Sequence, residues 1–307
     1  MRIAIMGAGG VGGYLGAKLA AGGQDVSFIA RGAHLRALRE SGLRVSGAQS
    51  LHLSRVQATD NLREVGAVDL VLFCVKLYDT DAAAAALEPL IGPDTCVLSV
   101  QNGIESAARI ARAIGADRVL AGAAYFPANI AAPGAIAYLG CIAGKPQLAF
   151  GEPGAGASAR AGIIAGMFDA AGVSARVCAS TELMLWEKFC LVAATSATTT
   201  LARQPIGVVR EDADLRWMLA EAVAEAARVG RRAGVALPED LETQVLRAID
   251  GNPPHGKASQ LVDLERGRRL ELDGLSGAIV RLGRELGEPT PVHATVYAAL
   301  KPYIDGA

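Results

Sequence analysis

The hexapeptide "GAGGVG", Gly7 to Gly12, has the residue types and spacing that hold a pyrophosphate. It follows the apolar run "RIAIM" and opens a helical pattern, the strand-loop-helix setting such a loop requires. Gly7 permits a tight turn, Gly9 lets the backbone approach phosphate oxygens, and Gly12 allows close packing of helix on strand. Ala8, Gly10 and Val11 complete the loop, and the helix N-terminus offers N–H donors to an anion. A plain glycine-rich turn is the alternative; the setting favours a dinucleotide. The next strand-like run, "DVSFIARGAH", ends on Ala30 and Arg31 rather than on the acid that binds a ribose 2′-hydroxyl. A guanidinium there can grip a 2′-phosphate through charge-assisted bonds, so the expected cofactor is NADPH/NADP+. The other use for Arg31 is to cap the exposed end of the strand.

A second candidate is Lys188, set in the apolar run "LMLWEKFCLVAATSATTT". Helical spacing puts it on one face with Met184, Leu185, Leu191 and Val192, then with Thr195, Ser196 and Thr199. A lysine there must reach water, pair with a carboxylate, or face a polar cavity. Desolvation would lower its pKa and suit it to protonate a substrate oxygen. The residues alone leave a structural role open beside that one. "FCVKLYDT" and "LSVQNGIES" each follow a strand-like run, which places Lys76 and Asn102 at the carboxyl edge of a sheet, where open α/β sheets bind ligands. A surface lysine and an ordinary Asn-Gly turn are the alternatives.

The elements that must carry these residues change character once, near residue 180. Before it, strand-like runs alternate with helices: "RIAIMG", a helix from about Val11 to Ala21, "DVSFIA", "DLVLFCV", "TCVLSV" and "RVLAGAAY". Runs apolar on both faces and separated by helices indicate parallel strands covered on each side, a doubly wound α/β sheet. Ile136 to Phe150 reads as a hairpin added to that sheet, and "SARVCAS" as a last strand. From about Thr181 only helices are read, so the expected division is an α/β domain over 1–179 and an all-helical C-terminal domain over 180–307. "DGNPPHGK", 250 to 257, is the candidate mobile loop. The apolar helices "MLAEAVAEAARVG" and "LSGAIVRLGREL" serve the domain core or a homodimer surface, with the core the favoured use.

Composition narrows the function classes. In 307 residues, 30 Lys and Arg balance 31 Asp and Glu for a net charge of -1, which gives no electrostatic reason to expect nucleic acid or membrane as partner. No run reaches the roughly 18 to 20 apolar residues of a membrane span. "MRIAIMG" is too short and strand-like for a secretory signal, so a cytoplasmic protein is expected. The five cysteines are scattered without metal-ligand spacing, Cys74 and Cys96 reading as small buried hydrophobes, and the four histidines form no local cluster. No metal site is expected.

In order along the chain, "MRIAIMGAGGVGGYLGAKLA", "VKLYDT", "QNGIES", "LWEKF" and "KASQLVDLERGRRLELDGLSGAIVRLGRELGEPTPVHATVYAAL" resemble the ketopantoate reductase (2-dehydropantoate 2-reductase) family over essentially the whole chain. The resemblance implies an N-terminal Rossmann-type domain, a helical C-terminal domain and an active site in the cleft between them. By motif position it makes Lys188 the general acid that protonates the carbonyl oxygen as NADPH delivers hydride to the adjacent carbon. Glu271, in "LELDGL", matches the substrate-binding glutamate, and Ser259, in "KASQLVDLE", the serine that binds the substrate carboxylate. Asn102 matches an asparagine beside nicotinamide and substrate, Lys76 a cofactor contact, and Arg31 the contact to the 2′-phosphate. Read without the family, Glu271 and Asp273 make a solvated helix start and Ser259 an N-cap.

The chain departs from the family at two places. Four and eight residues after the lysine, where the family commonly has asparagines on the substrate's hydroxyl side, stand Val192 and Ser196, which leaves Ser196 as the polar group there. Exchanging an amide for an isopropyl group changes preference between substrates with and without a hydroxyl. The expected activity is NADPH-dependent reduction of a 2-oxo acid, ketopantoate to pantoate. The alternatives are a 2-oxo acid with a more apolar tail, or a non-catalytic NADP(H)-binding sensor.

Overall fold

A computed structural model describes residues 1–142 and 144–306. The chain divides into two compact units, one of 1–101 and 105–181, the other of 102–104 and 182–307. The short excursion at 102–104 is not announced by the sequence pattern. Ile104 packs with the apolar core of the helices, which accounts for the grouping.

Strands of the first unit are β1 (Arg2–Met6), β2 (Asp25–Ile29), β3 (Leu43–Gly47), β4 (Leu51–Leu53), β5 (Gln57–Thr59), β6 (Val68–Phe73), β7 (Ile91–Ser99), β8 (Val119–Ala124), β9 (Ala128–Ala132), β10 (Ala135–Tyr138), β11 (Leu148–Gly151) and β12 (Ala175–Val177). Its helices are α1 (Gly10–Ala21), α2 (Gly32–Ser41), α3 (Thr80–Ala85), α4 (Ser106–Ile114) and α5 (Ala159–Ala170). The main sheet runs β12-β11-β8-β7-β6-β1-β2-β5, and every pairing from β5 to β8 is parallel. The order reverses between β1 and β6, the position at which doubly wound sheets open a crevice beyond the strand ends. Alternate residues feed two separate cores: Ile3, Ile5, Leu70 and Leu72 enter one, Ala4, Met6, Val71 and Phe73 the other. A strand buried on both faces must be apolar at every position, which is why these runs show no alternation.

Two expectations for this unit are corrected. The hairpin read over Ile136 to Phe150, a stretch containing Ala143, which lies outside the described residues, is formed instead by β9 and β10. It does not extend the main sheet: β10 pairs with β3 to make a second sheet, β4-β3-β10-β9. Only β11 from that stretch joins the main sheet, antiparallel to β8. The strands of the small sheet are short, β9 and β10 are alanine-rich, and β10 pairs with β3 from far off in sequence, so local periodicity carries little of that pairing.

In the second unit α6 (Thr181–Ala202) is followed by α7 (Ile206–Glu211), α8 (Ala213–Arg232), α9 (Leu241–Asp250), α10 (Ser259–Glu265), α11 (Ser276–Leu286) and α12 (Pro291–Leu300). The apolar faces of α8 and α11, including Leu219, Val223, Ala226, Ala278 and Ile279, are consumed in the core of this unit. Hydroxyls of α6 bond back into their own helix: half-buried Thr195 to the Leu191 carbonyl at 2.8 Å, and buried Thr198 to Ala194 at 2.9 Å and Thr199 to Thr195 at 2.6 Å. The stretch 250–257, marked as mobile by its composition, is tied down. Ile206 N–H donates to Gly256 at 2.8 Å, Gly207 N–H to Pro254 at 2.8 Å, and Arg210 donates to the carbonyls of Asp250 and Asn252. Among the described residues, no helix is long and apolar enough to cross a membrane.

Candidate active site

The glycine loop sits between the end of β1 and the start of α1. Gly7 has φ +99°, and a Cβ there would lie 2.8 Å from the Val75 nitrogen, so both conformation and neighbour require glycine. At Gly12 a Cβ would press on the Gly7 carbonyl, Ile5 and Cys74, which fits close helix-to-strand packing. At Gly10 a Cβ would overlap the Ala128 carbonyl of β9, so its small size also serves the second sheet. At Gly9, by contrast, a Cβ would meet nothing within 4 Å. Gly9 is also the N-cap of α1, which has no capping side chain and no acidic residue in its first turn. Open space beside uncapped N–H groups is the arrangement that fits a phosphate.

Arg31 is exposed and forms the N-cap of α2 in extended conformation. Lys76 follows β6 and is the N-cap of a short 3-10 turn, Leu77–Asp79. Asn102 follows β7, before Gly103 at φ +83°. The glycine loop, Arg31 and Lys76 thus lie after the carboxyl ends of β1, β2 and β6, neighbouring parallel strands. The loops after β1, β6 and β7 are also joined by contacts, since Gly7 abuts Cys74 and Val75, and Gln101 bonds to the Val75 carbonyl.

In the helical unit Lys188 is half-buried on α6. Burial lowers its pKa to about 8, and the negative charge of Glu271 pulls in the opposite direction. The resulting lysine holds a proton at neutral pH and releases it far more readily than an exposed one. Glu271 is 8% exposed and precedes the 3-10 turn Leu272–Gly274, so the solvated helix start is not what forms there. The buried Leu272 pulls that turn into the core. Asp273, two residues on, accepts a hydrogen bond from Tyr297 Oη at 2.7 Å. Ser259 is exposed and is the first residue of α10, whose N-cap is Ala258, so the serine does not cap the helix. Ser196 is buried on α6, and Val192 is half-buried one turn before it. The electrostatics therefore bring Lys188 and Glu271 together.

Sequence reasoning passed over Gln260, which follows Ser259. Its side chain is buried, and among the described residues neither amide atom has a hydrogen-bond partner. A glutamine between an exposed serine and an apolar leucine gives no sequence signal of burial; only the packing of α10 reveals it.

A doubly wound parallel sheet with a glycine loop at its switch point, joined to a helical unit that holds a lysine of lowered pKa acted on by a carboxylate, fits an oxidoreductase. The family model described as "Ketopantoate reductase PanE/ApbA" matches residues 3–153, and that of its C-terminal part matches residues 180–304. The 2-dehydropantoate 2-reductase of Mesorhizobium japonicum is 31% identical over 98% of this chain and 97% of its own. That of Archaeoglobus fulgidus is 33% identical over 96% and 95%. The crystal structure of a PanE/ApbA family ketopantoate reductase from Ralstonia eutropha JMP134 superposes with a TM-score of 0.89 at 33% identity, covering 99% of this chain and 98% of that one. The chain belongs to the ketopantoate reductase family.

Proposed function

We propose that this chain reduces 2-dehydropantoate to pantoate with NADPH in the cytoplasm, residues 1–179 serving the cofactor and 180–307 the substrate. The observation that carries the reading is membership of this family; Lys188 on α6, its pKa lowered by burial to about 8 with Glu271 acting on it, fits the proton donor. Residues 7–12 would receive the diphosphate on the uncapped N-terminus of α1, and Arg31 the 2′-phosphate. Bound there, NADPH supplies the hydride. Lys76 and Asn102 orient the reactants, and Ser259 binds the substrate carboxylate. Glu271 holds the substrate's tail and keeps Lys188 protonated. The Lys188 ammonium donates its proton to the carbonyl oxygen and stabilises the negative charge that develops on it.

The test is the rate of NADPH oxidation with ketopantoate, set beside pyruvate and branched 2-oxo acids and repeated with NADH. Ketopantoate with NADPH is expected to be the best pair. A best rate with an unhydroxylated, branched acid would support the second reading, which Val192 motivates: a 2-oxo acid with a more apolar tail. Because the proton donor must be charged, reduction should slow as pH rises through about 8, the pKa of Lys188. A pH-rate profile checks this, and an alkaline limb two units higher would assign the acid elsewhere.

A further inference from the structure

Gln101, one residue before Asn102, is 6% exposed and uses its whole amide inside the first unit. Its Nε2 donates to the Val75 carbonyl at 2.9 Å and to Thr80 Oγ1 at 2.9 Å, and its Oε1 accepts from Ser99 Oγ at 3.3 Å. Val75 and Thr80 bracket Lys76. The segment between them is fixed at further points: Thr80 Oγ1 donates to the Leu77 carbonyl at 2.8 Å, and Asp79 N–H to the Lys76 carbonyl at 2.9 Å. Arg109 donates to the Leu77 carbonyl at 3.2 Å and is itself held by Asp81. A buried amide with every group satisfied fixes the backbone it bonds to, because each partner left alone would be a desolvated polar atom.

From this geometry we infer that Gln101 is a positioning residue: through Val75 and Thr80 it sets the backbone from which Lys76 reaches the cofactor, and so couples the loop after β7 to the loop after β6. Gln101 touches no reactant; it acts through Lys76. The inference rests on the reading of Lys76 as a cofactor contact, which the single variant Lys76→Ala tests by itself.

The experiment is a double-mutant cycle on the dissociation constant of NADPH, measured on the full chain by fluorescence titration, with unfolding midpoints recorded for each variant. Gln101→Met is expected to weaken NADPH binding about tenfold when Lys76 is present and less than about twofold in the Lys76→Ala background. Thr80→Val, which removes one of the two donor contacts, should show a smaller loss with the same dependence on Lys76, and it carries the cycle if Gln101→Met does not fold. An equal loss in both backgrounds overturns the inference, since the amide would then act through general packing. So does unchanged affinity in Gln101→Met. Lys76→Ala with unaltered affinity overturns the role of Lys76 and this inference together. The cycle needs no turnover, so failure of the reductase reading appears separately, as wild-type protein that binds NADPH but does not oxidise it in the presence of any 2-oxo acid of the panel.

Discussion

Lys188→Ala is expected to lower kcat for reduction of the 2-oxo acid by roughly 10²- to 10⁴-fold, the range general acid catalysis contributes, while NADPH affinity stays within about twofold of the parent. The two readouts separate because Lys188 belongs to the helical unit and the cofactor loop to the first. A lysine whose pKa falls on folding carries a charge that the folded state disfavours, and its attraction to Glu271 offsets part of that cost. Lys188→Met, which keeps the apolar length of the side chain, should be inactive; it relieves the desolvated ammonium but leaves buried Glu271 without its counter-charge, so its unfolding midpoint is recorded beside the rate. Lys188→Arg tests the proton itself: it keeps a positive charge but cannot give up a proton near neutrality, and it should not restore the rate. Near-normal turnover in Lys188→Ala would falsify the assignment.

Glu225→Ala should cost roughly 3 kcal/mol or more of stability, since it strands two buried donors and opens a cavity. Glu225 lies on α8, fully buried, and its two carboxylate oxygens accept from the backbone N–H groups of Val292 at 2.7 Å and His293 at 2.9 Å. Those groups belong to the first turn of α12, whose own N-cap, Thr290, supplies no side-chain bond. Glu225 thus caps a helix from a distance, and its negative charge meets the positive end of the helix dipole. Burial raises its pKa, and the two backbone bonds oppose that shift. His293 beside it is buried too, its Nε2 bonded to the Ala222 carbonyl at 3.0 Å and its Nδ1 to Ser276 Oγ at 3.2 Å, with burial lowering its pKa to about 4. The Ala222 carbonyl can only accept, so the neutral ring carries its proton on Nε2. Glu225→Gln should cost less than Glu225→Ala, because the amide oxygen still accepts from one N–H. Denaturant unfolding at neutral pH, followed by far-UV circular dichroism, ranks the three proteins. A loss in Glu225→Ala no larger than in Glu225→Gln would mean that the capping bonds are not what the glutamate provides.

The same contrast runs through the whole chain. Periodicity and punctuation are local properties, and they determined what is local: continuous apolar strands, the glycine loop after β1, the change from alternation to helices near residue 180, and the place of Lys188 on an apolar helix. Ordered motifs added the family. Pairings between distant segments have no local signature, so the second sheet, the antiparallel β11, the bonds across 250–257, the cap that Glu225 places on α12 and the hold of Gln101 on the Lys76 loop became legible only in three dimensions. Lys188 shows the boundary most clearly. Its sequence surroundings allowed a charge reaching water as readily as an acid, because desolvation is a sum over neighbours brought in by other helices. Packing around α6, with Glu271 contributed from more than eighty residues away, decided its pKa.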